Sequence, residues 1–291
     1  MSVVIPARNA ATTLPEQLEA LAAQTTTMPF EVVVVDNAST DWTAELVEYW
    51  RDKIPGLRRV AEPLRGVNHA RNAGIRATTS DLILFCDADD VVDRGWIDAM
   101  VTALASRDLV GGRLEYERLN SPAALRDTAG RVLSNGLERA YGRTWASTAN
   151  LGLHRAVADA LGGFDPDLEL GTEDLDFCMR AADAGFSIGY AADAVVHYRL
   201  RAELGPLLRQ KYATGVGLAH LYTKHWEAGN LEDYPPRIRR NQALHDLWRL
   251  VSGSPQLLSR RYRWTYLGRV AKGSGRIVGW WRYNRPSLAK R

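Results

Sequence analysis

Asp81-Leu82-Ile83-Leu84-Phe85-Cys86-Asp87-Ala88-Asp89-Asp90 is the stretch around which the chain is organised. The run from Leu82 to Cys86 has no polar alternation, so it reads as a strand buried on both faces, as in a sheet covered by helices. It stops abruptly in acid. Unpaired carboxylates are too costly to bury, so Asp87, Asp89 and Asp90 belong at the strand's end, in water or against a cation. In open α/β sheets that end is where ligands bind. Carboxylates at i and i+2 of an extended chain point to opposite sides, so Asp87 and Asp89 suit different partners. Read alone, the same acids also fit a solvated turn.

Strand and helix alternate upstream. Val3-Val4-Ile5 reads as a short buried strand ending at Pro6, and Thr13 with Glu16 reads as a capping box for a helix to Ala23. Val32 to Val35 is a second buried run ending in Asp36, and Asp41 precedes a helix in which Trp42, Leu46, Val47 and Trp50 share a face. Val60 marks a weaker third strand and residues 66–78 a further helix. This is the pattern of a parallel, doubly wound α/β sheet. Downstream, residues 95–105 read as a helix and 109–117 as a strand. Residues 120–146, with Pro122 and several glycines, read as a loop-rich insertion of the lid or recognition kind. Order returns at 149–154, followed by the turn Gly162-Gly163-Phe164-Asp165-Pro166. Gly171-Thr172-Glu173-Asp174 leads into a helix with Leu175, Cys178 and Met179 on its apolar face, and residues 188–191 and 195–198 read as two short strands flanking a turn.

The 291 residues, 46% hydrophobic, can bury a sizeable core. The net charge of +3 conceals an asymmetry: residues 201–291 hold 18 Lys plus Arg against 5 Asp plus Glu, and residues 1–200 hold 19 against 29. An acidic domain over 1–200 with a basic extension over 201–291 is expected. Cys86 and Cys178 read as buried free thiols of a reducing compartment. Neither a leader pattern nor a run of ~18 apolar residues occurs, so a cytoplasmic location is expected, with the basic extension able to meet the inner face of the membrane.

Three polar strand ends, Pro6-Ala7-Arg8-Asn9, Asp36-Asn37 and Asp87-Ala88-Asp89, would converge on one edge of a parallel sheet. Together with Ala70-Arg71-Asn72-Ala73-Gly74 and Gly171-Thr172-Glu173-Asp174, in that order, they resemble the family 2 glycosyltransferases of the GT-A fold, over roughly the first 200 residues. The resemblance implies a GT-A type, doubly wound, mostly parallel sheet with a helical C-terminal extension. It also implies metal-dependent, inverting transfer of a sugar from a nucleoside diphosphate sugar. UDP-sugar is the donor expected, with dTDP- and GDP-sugars as alternatives. The acceptor would be a hydroxyl of a lipid-linked, polysaccharide or small-molecule natural-product compound.

By matching position, Pro6, Arg8 and Asp36 form the base pocket, in which Asp36 accepts a hydrogen bond from a ring N–H, and Arg71 lies near the donor nucleotide. Asp87 approaches the ribose, and Asp90 contacts the nucleotide or supports the site. Asp89 holds a divalent metal, Mn²⁺ or Mg²⁺, which neutralises the departing diphosphate. His197 completes the metal site, although a histidine beside an apolar run also fits a structural role. Asp174 is the general base and Glu173 orients it or contacts the acceptor, although acids at a helix start also favour the macrodipole. The family often has Asp-Asp-Gly-Ser where this chain has Asp36-Asn37-Ala38-Ser39, which leaves the first acid in place. Trp145 suits either a sugar face or the core.

The basic extension carries five of the nine tryptophans, Trp226, Trp248, Trp264, Trp280 and Trp281, interspersed with arginines in segments of helical character. Such segments suit an anionic membrane surface or packing on the acidic domain; a nucleic-acid partner is not expected. Two other functions compete. A nucleotidyltransferase usually opens with a Gly-rich phosphate loop, which is missing after Ile5. A non-catalytic nucleotide-sugar or glycan-binding module would not need Asp174.

Overall fold

Among the described residues the buried apolar runs pair into one eight-stranded sheet, in the order Leu57–Ala61, Glu31–Asp36, Ser2–Ala7, Leu82–Cys86, Asn150–His154, Leu109–Glu115, Ile188–His197, Val91–Val92. The computed structural model describes residues 1–126, 133–168, 171–229, 254–259 and 262–283. Among these, the alternation runs β1 (Ser2–Ala7), α1 (Leu14–Ala22), β2 (Glu31–Asp36), α2 (Thr43–Trp50), β3 (Leu57–Ala61), α3 (Val67–Ala77) and β4 (Leu82–Cys86). β1, β2, β3 and β4 pair in parallel. After them come β5 (Val91–Val92), α4 (Trp96–Leu104), β6 (Leu109–Glu115) and α5 (Pro122–Arg126). The small hairpin β7 (Glu138–Ala140) and β8 (Arg143–Trp145) follows, then β9 (Asn150–His154), α6 (Arg155–Leu161), α7 (Glu173–Asp183) and β10 (Ile188–His197).

The sheet is mostly but not wholly parallel, because β9 runs antiparallel between β4 and β6, and β5 runs antiparallel to β10. Residues 188–191 and 195–198 are not separate strands: β10 is continuous through a register shift between Ala191 and Val195. The carbonyl of Ala194 in that bulge accepts a hydrogen bond from buried Asn150 Nδ2, 2.8 Å away. Alternate residues Val4, Val33, Val35, Ile83 and Phe85 build a core with Ala70 and Ala73 of α3 and Phe177 of α7. Gly74 lets α3 approach, since a Cβ there would lie 2.2 Å from Val4 Cγ1.

Two local expectations fail for physical reasons. Thr13 makes no side-chain cap, because its own backbone is already helical, and Glu16 is drawn instead to Arg199, 2.9 Å away. Trp42 is 74% exposed, because α2 buries Thr43 and Val47 and turns Trp42 to solvent.

The chain divides into two compact units, one of Met1–Asn120, Arg131–Asp167 and Glu173–Arg199, the other of Ser121–Gly130, Leu168–Thr172 and Leu200–Arg291. Trp248, Arg239 and Arg240 lie outside the described residues. In the second unit, α8 (Leu204–Glu227) packs on α9 (Arg263–Tyr283). Their backbones meet at glycine: a Cβ on Gly275 would sit 2.0 Å from the Tyr212 carbonyl oxygen. In a free helix Gly→Ala gains about 1 kcal/mol. Here the obstacle is backbone, no rotamer relieves it, and overpacking of this kind costs about 1–3 kcal/mol. Gly275→Ala is therefore expected to lower the urea midpoint of this unit, whereas Ser274→Ala, on the exposed side, leaves it unchanged or raised.

Candidate functional site

The apolar end of β4 delivers Asp87, Asp89 and Asp90 to the sheet edge, where one oxygen from each lies within 4.8 Å of the others. The loop is held by a side chain that sequence reading passed over. Gln17, fully buried on α1, donates through Nε2 to the Asp87 carbonyl at 3.1 Å and accepts from the Val92 N–H at 3.0 Å. Arg199 closes the other side, its backbone N–H donating to Asp90 Oδ1 at 2.7 Å and its Nε to the Asp89 carbonyl at 2.8 Å.

Beside this cluster lies one buried cation. Arg71, on α3, reaches Asp87 at 3.7 Å, Glu173 at 3.3 Å and Asp174 at 3.9 Å. It thereby ties the tip of β4 to the first turn of α7. The position is built by the turn before α7: Asn72 accepts from the Phe164 N–H at 2.8 Å and donates to the Phe164 carbonyl at 2.7 Å, while Asn68 donates to the Asp165 carbonyl at 2.7 Å. Asp174 is gripped on both oxygens, by Thr148 Oγ1 at 2.6 Å and Ser147 Oγ at 3.2 Å. Neither hydroxyl carried a sequence signal, since Ser and Thr in a loop are common.

Five carboxylates, three of them on one buried guanidinium, leave an excess of negative charge. Burial first, and then Asp89, Asp174 and Glu173, push Asp87 up to about 7 against the pull of Arg71. Burial and the neighbouring Asp87 and Asp89 raise Asp90 well above the usual carboxylate range. Asp90 Oδ2 is buried with no hydrogen-bond partner among the described residues. Three hard oxygen donors, one of them orphaned, fit a divalent cation, whose charge would drive these groups back to the ionised form with release of protons.

Asp36 stands apart from that cluster, at the tip of β2, where Oδ2 pairs with Arg59 at 3.2 Å and Oδ1 accepts from the Ser39 N–H at 3.1 Å. The order β2-β1-β4 sets two strand spacings, roughly 10 Å, between the two acidic tips. β1 lies between them and ends in half-buried Pro6 and exposed Arg8. Pro6 is tolerated because β1 pairs with β4 only from Ser2 to Val4. The loops after β1 and β2 are laced together: Asn9 and Ala38 both take positive φ, of 52° and 53°, and the Thr40 N–H donates to Asn9 Oδ1 at 2.8 Å. Asn37, at the position where the family often has its second acid, is buried and organises the following loop, donating to the Glu62 and Leu64 carbonyls and accepting from the Gly66 N–H.

His197 does not join the three clustered aspartates. Its Nδ1 lies 2.6 Å from Glu115 and its Nε2 3.5 Å from Asp93. Nε2 is buried and has no hydrogen-bond partner among the described residues. Burial alone would raise Glu115, but the hydrogen bonds from His197 and from the Glu117 and Arg118 N–H groups bring it down to about 2. Trp145 packs partly buried against the core.

Known proteins are similar to this chain in sequence and in fold. Residues 2–135 match the model "Glycosyl transferase family 2" and residues 82–282 match "Glycosyl transferase family group 2". The chain is 30% identical over 221 residues to glycosyltransferase AglE of Haloferax volcanii, covering 75% of this chain and 72% of that one. It is 29% identical to a pre-mycofactocin glycosyltransferase of Mycobacterium tuberculosis, of which it spans 48%. In fold it is similar to the mannosyltransferase PcManGT of Pyrobaculum calidifontis, solved with GDP-Man and Mn²⁺. The TM-score is 0.65 at 21% identity, covering 97% of this chain and 87% of that one.

Proposed function

Because this chain belongs to glycosyltransferase family 2 and has its GT-A fold, we propose that it transfers a sugar, with inversion, from a nucleoside diphosphate sugar to an acceptor hydroxyl. One observation carries this reading. Arg71 joins Asp87 at the donor edge to Glu173 and Asp174 at the start of α7, so nucleotide-binding and proton-accepting groups share one buried counter-charge.

The base belongs over Asp36, with Pro6 and Arg8 lining it, and the spacing of roughly 10 Å to Asp87 leaves room for a ribose and the start of a diphosphate. Asp87 faces the ribose. Asp89 and Asp90 would hold a divalent metal, Mn²⁺ or Mg²⁺, which would supply the positive charge that a departing diphosphate needs. His197, outside the three clustered aspartates, is proposed as a further ligand of the same ion, because a carboxylate on Nδ1 favours the tautomer in which Nε2 can bind a metal. Asp174 accepts the acceptor hydroxyl's proton while the new C–O bond forms at the anomeric carbon and the bond to the diphosphate breaks on the opposite face. Glu173 shares Arg71 and sets the base's orientation. UDP is the donor nucleotide inferred from the motif set; the solved GDP-Man complex of a fold neighbour makes GDP the second choice. The acceptor is of the lipid-linked, polysaccharide or small-molecule class. The test is release of nucleoside diphosphate from a panel of UDP-, GDP- and dTDP-sugars with Mn²⁺. Turnover of one donor class is expected, and no release from any member would contradict the reading.

Thr148 is assigned the positioning of Asp174. Thr148→Val removes a hydrogen bond to a charged group and is expected to lower kcat about tenfold or more with KM for the donor unchanged. A change in donor KM alone would show that the hydroxyl serves something other than the base.

A further inference from the structure

Helix α9 has the polarity opposite to that of an ordinary packed helix. Toward α8 it shows glycine, and a Cβ on Gly279 would lie 2.8 Å from the Val216 carbonyl oxygen. Three of its large apolar side chains point away from α8. Ile277 lies opposite Gly275, because two residues along a helix is a turn of about 200°; Val278 flanks that face, and Trp281 lies opposite Gly279 by the same turn. They are 61%, 41% and 66% exposed. The helix also carries five cations, Arg263, Arg269, Lys272, Arg276 and Arg282, and no acid. Arg263, Arg269 and Arg282 are exposed.

We propose that this face of α9 docks on the surface of an anionic lipid bilayer, with Ile277, Val278 and Trp281 entering the headgroup layer and the exposed arginines meeting lipid phosphates. Charge selects the occupant. A second copy would set residues 201–291, with 18 cations against 5 anions, against themselves. A nucleic acid would answer the cations but leave Ile277 and Val278 without an apolar partner. A bilayer answers both, and tryptophan suits its interface. The contact is with the surface, since no described helix is long and apolar enough to cross a membrane. Trp280 has a different role, packing edge-on against Tyr222 of α8 with ring centres 5.4 Å apart.

Docking does not depend on turnover, so it is measured on the full chain without donor, by co-sedimentation with phosphatidylglycerol-containing and pure phosphatidylcholine vesicles. Salt is set at ~0.1 M and ~1 M, between which the Debye length contracts from ~10 Å to ~3 Å. Preferential sedimentation with the anionic vesicles is expected, weakening with salt. The double variant Ile277→Ser, Trp281→Ser should bind at least about tenfold more weakly at both salts with an unchanged melting temperature. Trp280→Ala should lower the melting temperature instead. The proposal is overturned if the wild type stays in the supernatant with anionic vesicles at low salt, or if the double variant sediments like the wild type. It is equally overturned if the double substitution converts a dimer to a monomer without vesicle binding, or if duplex DNA competes fully and is bound equally by both proteins.

Discussion

Asp174→Asn is expected to lower kcat by ~10² to 10⁴ while leaving nucleoside diphosphate binding intact, the range over which positioned general bases contribute. The amide is nearly isosteric, but it cannot take a proton. Thr148 still has an oxygen to donate to, so the loop around residue 148 should hold. The loss therefore belongs to the chemical step rather than to folding. Single-turnover transfer, with calorimetric donor binding alongside, separates the two. Turnover within about tenfold of wild type would remove Asp174 from the role of base.

The second large effect is on the donor. Asp89→Ala is expected to abolish metal-dependent nucleotide binding. A ligand at a hundred times its Kd stabilises a native protein by about 2.7 kcal/mol, and that whole increment should disappear. The substitution spares the local fold, because the contact that Arg199 makes at this position is to the Asp89 backbone carbonyl, which alanine retains. What is lost is one of three oxygens around a site already crowded with negative charge. Undiminished Mn²⁺-dependent stabilisation by nucleotide in the variant would show that the cation is held elsewhere.

The parts of the site that were legible in the sequence are those where chemistry breaks a pattern. An apolar run that ends in Asp87 and Asp89 announces the end of a buried strand at the sheet edge, because such acids are costly to place within the run. Asp36 and Asp174 were legible in the same way, each as an acid at the end of a run or the start of a helix. Arg71 was legible as a residue but not as a hub. Its three carboxylate partners come from two separate segments downstream, one of them about a hundred residues away, and no local periodicity reports such a meeting. Gln17, Ser147 and Thr148 were silent, since a buried glutamine inside an amphipathic helix and hydroxyls in a loop look ordinary until their partners are seen. In the fold, the antiparallel insertion of β9 between β4 and β6 escaped notice because a five-residue strand carries no mark of direction. The bulge in β10 looks like a turn in sequence, because polar Asp193 interrupts the apolar run, and only the structure shows Asn150 satisfying the neighbouring carbonyl from across the sheet. In the basic extension, composition spoke for tryptophan and arginine as a group. The glycine seam between α8 and α9 divides them, turning Trp281 outward while Trp280 packs inward.

We propose that the edge running from Asp36 to Asp89 binds a nucleoside diphosphate through a divalent cation. Thermal unfolding of the wild-type chain with UDP, GDP and dTDP, each with and without Mn²⁺, tests it most directly. One nucleotide, UDP first, should raise the melting temperature with Mn²⁺ present and lose that effect when the metal is chelated. No shift with any nucleotide in the presence of Mn²⁺, or a shift of the same size without it, would contradict the account.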